Sequence, residues 1–354
     1  MSTATTPGTP TLDGHPRPAV VTLDEVLADP GGHRVLTGDR PTGALHVGHL
    51  FGTLAMRVTL QRHGIDTVVV LADYQVVTDR DDTGDLPATV REVVLDYLAA
   101  GLDPQATTVF AHSAVPALHQ LMLPFLSLVT VAELDRNPTV KAEQAASGRA
   151  LSGLLLTYPV HQAADVLSVH GTLVPAGRDQ LPHLELTRSL ARRFNRRYGP
   201  TFDEPSALLS QAPLVLGTDG AKMSKSRGNA IELRADADTT AAALRGARTD
   251  GERAITYEPD RRPQVANLLL LGALASDRTP QDLADEIGGG GAAELKRYVT
   301  DALVAHLAPL RARRAELARD PYVVADVLAR GAARAAELAD GILAVVRRAM
   351  RQTY

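Results

Sequence analysis

The stretch GDRPTGALHVGHL, Gly38 to Leu50, decides the fold. Just upstream, RVLTG (34–38) reads as a short strand. Downstream, LHVGHLFGTLAMRVTLQRHG (45–64) has helical periodicity and stops at Gly64. Strand, glycine-flanked turn and helix, in that order, make the opening unit of an α/β sheet. The N-terminus of such a helix favours an anion, because its backbone N–H groups and dipole point there. His46 and His49 are spaced i, i+3, which places both on one face of the expected helix. Gly48 between them removes a side chain and lets a ligand approach the backbone. The residues alone leave two readings, imidazoles donating to nucleotide phosphates or a metal site. The metal reading lacks a third ligand of suitable type nearby, so no metal is expected.

Working outward, DTVVVLADY (66–74) is a continuous apolar run, as in a strand covered on both faces. DLPATVREVVLDYLAAGL (85–102) is an amphipathic helix, and TTVFAH (107–112) another strand. Residues 115 to 170 read as helical with one break, AEQAASGRALSG (142–153). GTLVPAG (171–177) is a strand and DQLPHLELTRSLARRFN (179–195) a helix, followed by the loop LGTDGAKMSKSRGNAIEL (216–233). Beyond residue 235 no strand is evident, and two long helices are split at Pro321. The pattern predicts an α/β fold: a Rossmann-like parallel-sheet nucleotide-binding domain over 31–235 with a C-terminal all-helical domain over 236–354. Residues 1–30, which open with a Thr-, Pro- and Gly-rich run, are expected to be a flexible tail.

Composition bounds the function. The 354 residues suffice for two domains, and a net charge of -4 does not announce a nucleic-acid binder. The absence of cysteine excludes disulfides, cysteine nucleophiles and thiolate metal sites. No apolar run reaches the length of a membrane span, and the N-terminus lacks the apolar core of a secretory signal, so a cytoplasmic location is expected. KMSKS, Lys222 to Ser226, places two lysines three apart in a glycine-flanked loop. Mobile cations suit a polyphosphate whose charge rearranges during reaction. Met223, the one apolar residue of the five, is expected to anchor the loop.

Taken together, HVGH at the first helix and KMSKS resemble the two signatures of the class I aminoacyl-tRNA synthetases. Nucleotidyltransferases share an HxGH-type pattern but not the lysine loop and helical tail. The segments TGDRPTGALHVGH, RNPTVK (136–141), LTYP…AAD, LVP.G.DQ and H.ELTR resemble, in order and spacing, the bacterial tryptophanyl-tRNA synthetases. This resemblance is strong over 34–235 and holds for the tail only in character. Tyrosine-specific synthetases share the fold and lysine loop, but usually carry a Gly-Gly pair where VPAGRDQ has none. A non-charging paralogue is the remaining alternative, and the intact signatures argue against it.

The resemblance implies activation of L-tryptophan with ATP and Mg²⁺, followed by transfer to tRNA(Trp), in a homodimer without membrane attachment. It implies catalytic roles for His46, His49, Lys222 and Lys225. It places Gly38, Arg40, Thr42, Gly48, Gly177, Asp179, Met223, Ser224 and Ser226 at ATP. It places Gln75, Tyr158, Gln162, Asp165, Val174 and Gln180 at tryptophan. An indole offers one donor and no acceptor, so its pocket needs a fixed acceptor among apolar walls, and Asp165 in AADVL supplies one. Several positions depart from the family's usual residues. His49 stands where Asn is frequent, Gln162 where many members carry Met, Gln75 where many carry His, Arg178 where Glu is common, and Ala176 replaces a bulkier aliphatic. These departures touch the pocket and mark a divergent branch. Residues 311 to 351 carry nine arginines against five acidic residues, with clusters at Arg311, Arg313, Arg314 and at Arg347, Arg348. That basic helical face is the expected anticodon-stem contact, and the C-terminal helical domain the expected tRNA anticodon-binding domain.

Overall fold

A computed structural model describes residues 17–78, 82–148, 150–177, 180–209, 214–224 and 227–354, the side chains of Ala146 and Ser147 excepted. Its centre is a six-stranded, wholly parallel sheet: β1 (Val20–Val21), β2 (Arg34–Asp39), β3 (Asp66–Leu71), β4 (Thr107–Ala111), β5 (Leu173–Ala176) and β6 (Ser206–Leu209). The order is β1-β6-β5-β2-β3-β4. From β2 the chain therefore winds one way through β3 and β4, then returns to build β5 and β6 on the other side. The winding reverses between β2 and β5, and open α/β sheets bind ligands in the crevice at such a point.

The apolar runs become the central strands for the expected reason. β3 and β4 are buried along almost their whole length, with helices on both faces. The sheet-covering helices are α1 (Leu23–Ala28), α2 (Val47–His49), α3 (Ala55–Arg62), α4 (Leu86–Ala99), α5 (Pro116–Leu126), α6 (Val131–Asp135), α7 (Pro138–Ser147), α8 (Gly153–Ser168) and α9 (Leu181–Tyr198). A π-helical turn, Leu50–Leu54, joins α2 to α3. α10 (Ala237–Arg245), α11 (Pro263–Ser276), α12 (Pro280–Ile287), α13 (Gly291–Leu317) and α14 (Val323–Ala349) complete the chain.

Two features depart from the sequence reading. The flexible tail expected through residue 30 does not extend over 17–30. Val20–Val21 pairs with β6, Thr22 and Glu25 cap α1 reciprocally, and Val26 is fully buried beside Leu60, Ile65 and Leu208. β1 and β6 were not legible because SALL and VV are too short to show a period. The second is α14, which crosses back over the sheet. Ala335, Ala339, Ile342 and Val346 share one core with Phe110, Leu118 and Phe125, while α13 contributes Leu303 and Leu307 to another core with Val93 and Leu98. The helical tail is thus packed into the sheet domain.

Close packing of α14 on β4 depends on its small residues. A Cβ built on Gly331 would lie 1.8 Å from the Val109 carbonyl oxygen. Gly341, on the same helix, has nothing within 4 Å of that position. Gly331→Ala is therefore expected to destabilise by about 1–3 kcal/mol through overpacking. Gly341→Ala is expected to stabilise by about 0.5–1 kcal/mol through helix propensity. Opposite shifts in Tm of the two variants check this.

Candidate active site

A cleft of about 360 Å³ opens at the carboxyl ends of β2 and β5. β2 and its turn line it with Gly38, Asp39 and Arg40; β5 and its turn line it with Val174, Ala176 and Gly177. Its floor is a buried ion pair. Arg57 of α3, 1% exposed, binds Asp39 Oδ2 through Nη1 at 2.7 Å and donates from Nε and Nη2 to Thr37 Oγ1 at 3.2 and 3.0 Å. Tyr97 of α4 donates its hydroxyl to the same Asp39 oxygen, and the Arg57 guanidinium sits 5.3 Å from the Tyr97 ring centroid. Burial alone would push the Asp39 carboxyl up. The charge and hydrogen bond of Arg57, with lesser help from His49 and Tyr97, hold it at about 2.

One end of the cleft is built by α8, the turn after β3, and β5. Tyr158, Gln162 and Asp165 of α8, Gln75, Val174 and Gln180 all line the cleft. The ring hydroxyl of Tyr158 lies 3.1 Å from His183 Nε2. Asp165 is 4% exposed, and His112 Nε2 donates to its Oδ1 at 2.6 Å. Burial disfavours a charge on His112, but the Asp165 carboxylate outweighs it and holds the imidazole pKa above the ordinary value. His161, stacked on His112 at 4.6 Å, is pushed down to about 4, chiefly by burial. His112, His161 and Asp165 bring possible metal-ligand atoms within 4.8 Å of one another. Both His161 nitrogens are nonetheless spent, one on Gln75 at 2.7 Å and one on His119 at 2.8 Å, so the arrangement is that of a hydrogen-bond network.

The two signature segments, far apart in the chain, are joined by backbone pairing. Val47 N–H donates to the Ile231 carbonyl, and Leu233 N–H to the Leu45 carbonyl, both at 3.0 Å. His46 thereby bridges Glu232 in antiparallel fashion. Met223 is 5% exposed, and its sulfur lies 3.8 Å from where a Gly48 Cβ would be. The anchoring expected of Met223 is what the structure places there. Asn229, 2% exposed, clasps the loop: its Oδ1 accepts from Ser224 N–H, and its Nδ2 donates to Asp219 Oδ1 and the Lys222 carbonyl. Gly217 makes room, since a Cβ there would come within 2.3 Å of the Asn229 amide.

The expectation that both histidines lie on one helix face is corrected. His46 is the extended residue that precedes α2, and only His49 is helical. Their rings meet at 3.8 Å, and His49 Nδ1 accepts the His46 backbone N–H. A neutral His49 ring thus carries its proton on Nε2, as a donor. Arg40 lines the cleft and reaches Glu143 of α7 at 2.9 Å. Thr42 is exposed on the turn that follows β2. Asp179, Lys225 and Ser226, with Arg178, lie outside the described residues. Sequence reasoning missed Arg57, Asn229 and the three histidines: Arg57 and His161 bind residues remote in the chain, while Asn229 bonds within its own loop, where no periodic pattern marks it.

The basic tail is also narrower than expected. Arg314 points inward, pairing with Glu92 and, at 2.7 Å, with the fully buried Asp96, whose other oxygen accepts the Leu45 N–H. Arg311 donates to Thr240. Arg313, Arg347 and Arg348 remain exposed.

The Asp39 carboxylate, near 2 in the fold and near 3.9 in an unfolded chain, stabilises at neutral pH. That contribution drains away as pH falls from about 4 towards 2. Arg57→Met removes the counter-charge and should cost roughly 3–5 kcal/mol at pH 7. The deficit relative to wild type should shrink at acid pH, where Asp39 is neutral in the variant. Urea unfolding of both proteins at pH 7 and pH 4 measures it.

Comparison with known proteins follows this geometry. The model of the family described as tRNA synthetases class I (W and Y) matches residues 31–308. The tryptophan–tRNA ligase of Treponema pallidum (strain Nichols) is 43% identical over 311 residues, which span 85% of this chain and 91% of that protein. The tryptophan–tRNA ligase of Streptococcus pneumoniae serotype 4 is 38% identical over 334 residues, 90% and 98% of the two chains. The solved tryptophanyl-tRNA synthetase of Campylobacter jejuni, complexed with ADP and tryptophan, superposes with a TM-score of 0.77 at 27% identity, over 90% of this chain and 99% of that one. Matched over most of its length by family model, by sequence relatives and by fold, the chain belongs to the class I tRNA synthetases of the tryptophan and tyrosine type.

Proposed function

We propose that this enzyme is a tryptophan–tRNA ligase. The observation that carries the reading is the junction of the HVGH segment with the lysine loop beside a cleft whose inner end holds a buried carboxylate, Asp165. The tryptophan carboxylate attacks the α-phosphate of ATP in line. The bond from that phosphorus to the bridging oxygen breaks, and pyrophosphate leaves. The 3′-terminal hydroxyl of tRNA(Trp) then attacks the adenylate carbonyl and AMP leaves.

No protein nucleophile is needed, so catalysis is positioning plus stabilisation of developing phosphate charge. His46 and His49 donate to phosphate oxygens, Gly38 and Gly177 let ATP approach the backbone, and Gly48 and Met223 keep the first signature against the loop. Lys222 and Lys225, with the loop hydroxyls of Ser224 and Ser226, neutralise the departing pyrophosphate. Asp179 faces the ribose. Mg²⁺ would come with ATP, would neutralise phosphate charge and would need no protein cage. Asp165 accepts the indole N–H, Tyr158 and Gln180 hold the α-ammonium and carboxylate, and Gln162, Gln75 and Val174 form the walls. Exposed arginines of the tail, among them Arg313, Arg347 and Arg348, are left for tRNA phosphates, and a cytoplasmic homodimer is the working assembly. Among the described residues no helix is long and apolar enough to cross a membrane.

Amino-acid-dependent ATP–pyrophosphate exchange with each of the twenty amino acids tests the reading. Exchange with tryptophan is expected; exchange with tyrosine alone, or with none, would overturn it. Lys225→Ala should lower the activation rate about 10²–10³-fold while tryptophan affinity changes little. Equal effects on both would remove its assigned role.

A further inference from the structure

At the opposite end of the sheet from the cleft lies a second cavity, of about 230 Å³, that the proposed mechanism does not use. The segment RGAAR, Arg330 to Arg334 of α14, forms one wall, and the start of β4 with the turn before it forms the other. Gly331 is the reason the two meet. Without a Cβ it lets α14 rest on the Val109 backbone, and Arg330 and Arg334 then line the same cavity as Gln105 and Thr108. The two arginines are spaced i, i+4, so they share one helix face.

Each of these four side chains has a hydrogen-bond donor to spare. Arg330 is exposed and makes no hydrogen bond or ion pair with the described residues. Arg334 meets Asp66 at 3.5 Å, too long for a good hydrogen bond, and Asp66 is committed to Arg34 Nε at 2.7 Å. Asp103, in the turn before β4, is occupied by the Gln105 backbone N–H, while the Gln105 side chain is exposed. Thr107 spends its hydroxyl on Gln61 at 2.7 Å, on the other face of the strand. Thr108 differs. It is only 6% exposed, and its hydroxyl has no partner among the described residues, yet that oxygen is not among the sealed, unpaired polar atoms of the interior. It therefore keeps accessible surface, and the residue lines this cavity.

A surrounding of spare donors selects a ligand rich in acceptors, and two positive charges select one with more than a single negative charge. A carboxylate answers the first demand; a phosphate answers both. We propose that Arg330, Arg334, Thr108 and Gln105 form a binding site for a phosphate group, separate from the catalytic cleft. The guanidinium groups hold its oxygens by charge-assisted hydrogen bonds, Thr108 donates from the buried floor, and Gln105 closes the rim. Because α14 belongs to the helical tail and β4 to the sheet, an occupied site ties one to the other. A free phosphate and a phosphodiester of tRNA present the same oxygens, and the test separates them.

The test is modification of the full chain by phenylglyoxal, which couples to unprotected guanidinium groups, with the modified arginines located by mass spectrometry. Inorganic phosphate and tRNA are added separately at low ionic strength. If the ligand is a free anion, phosphate should slow modification of Arg330 and Arg334 severalfold and leave the exposed Arg313 unchanged. If it is a polynucleotide, tRNA should protect the pair where phosphate does not, and Arg330→Gln should lower the salt slope of tRNA binding by about one. In either case Thr108→Val, which keeps the shape and removes the hydroxyl, should raise the concentration needed for half-protection about tenfold, the scale of one hydrogen bond to a charged group. Arg330→Gln, at the surface, should weaken protection of Arg334 at least as much and stands in if the threonine variant does not fold. The proposal is overturned if neither phosphate nor tRNA protects the pair, or if half-protection is unmoved in a folded variant.

Discussion

The site depends first on the burial of a guanidinium. Arg57 is 1% exposed, and Asp39, Thr37 and the Tyr97 ring and hydroxyl surround it. Leaving such a charge unpaired costs several kcal/mol, so the four groups are obliged to stay together. Because they come from β2, α3 and α4, this obligation sets the end of β2 relative to the helices that flank it. The turn from Gly38 to Gly43 starts from that fixed end, and the HVGH segment follows it. Asp39 and Arg57 also line the cleft, so the same pair that orders the scaffold shapes the ligand's surroundings.

A second constraint is the backbone pairing of Leu45–Val47 with Ile231–Leu233. It makes the lysine loop an extension of the first signature. Asn229 and Met223 pin the described part of the loop, one by hydrogen bonds and one by burial, and Lys222 lies next to Met223 with its carbonyl held by Asn229. Asp96 connects the same segment to the tail: one oxygen takes the Leu45 N–H, the other Arg314 of α13. The helical tail and the segment carrying the first signature therefore share a buried carboxylate.

The amino-acid end uses a different logic. Its walls are polar side chains with fixed hydrogen-bond sense: Asp165 held by His112, and Gln75 held by His161. Directional groups in a low-dielectric wall discriminate by what they leave unsatisfied, more sharply than apolar walls do by fit. The departures from the family's usual pocket residues at Gln75 and Gln162 belong to this region, which is where a change of residue type alters the donor and acceptor pattern.

What the sequence by itself determined is what repeats or signals locally. Apolar runs marked β3, β4 and β5, helical periodicity and glycine stops marked the helices, and two short signatures marked the chemistry, because each lies within a window of a few residues. The parallel Rossmann-like class followed from their alternation. Tertiary structure alone decided the rest. β6, between β5 and β1, and β1 at the sheet edge exist because strand pairing supplies hydrogen bonds that four- and two-residue runs do not advertise. α14 lies on β4 because Gly331, Ala335 and Ala339 permit close approach, and small residues read as helix without saying what they touch. Arg314 looked like one more basic surface residue and became a buried partner of Asp96. His112, His119 and His161 looked like three scattered histidines. Their roles come from hydrogen bonds between elements 7 to 86 residues apart, and a buried polar group takes its meaning from the partner that satisfies it.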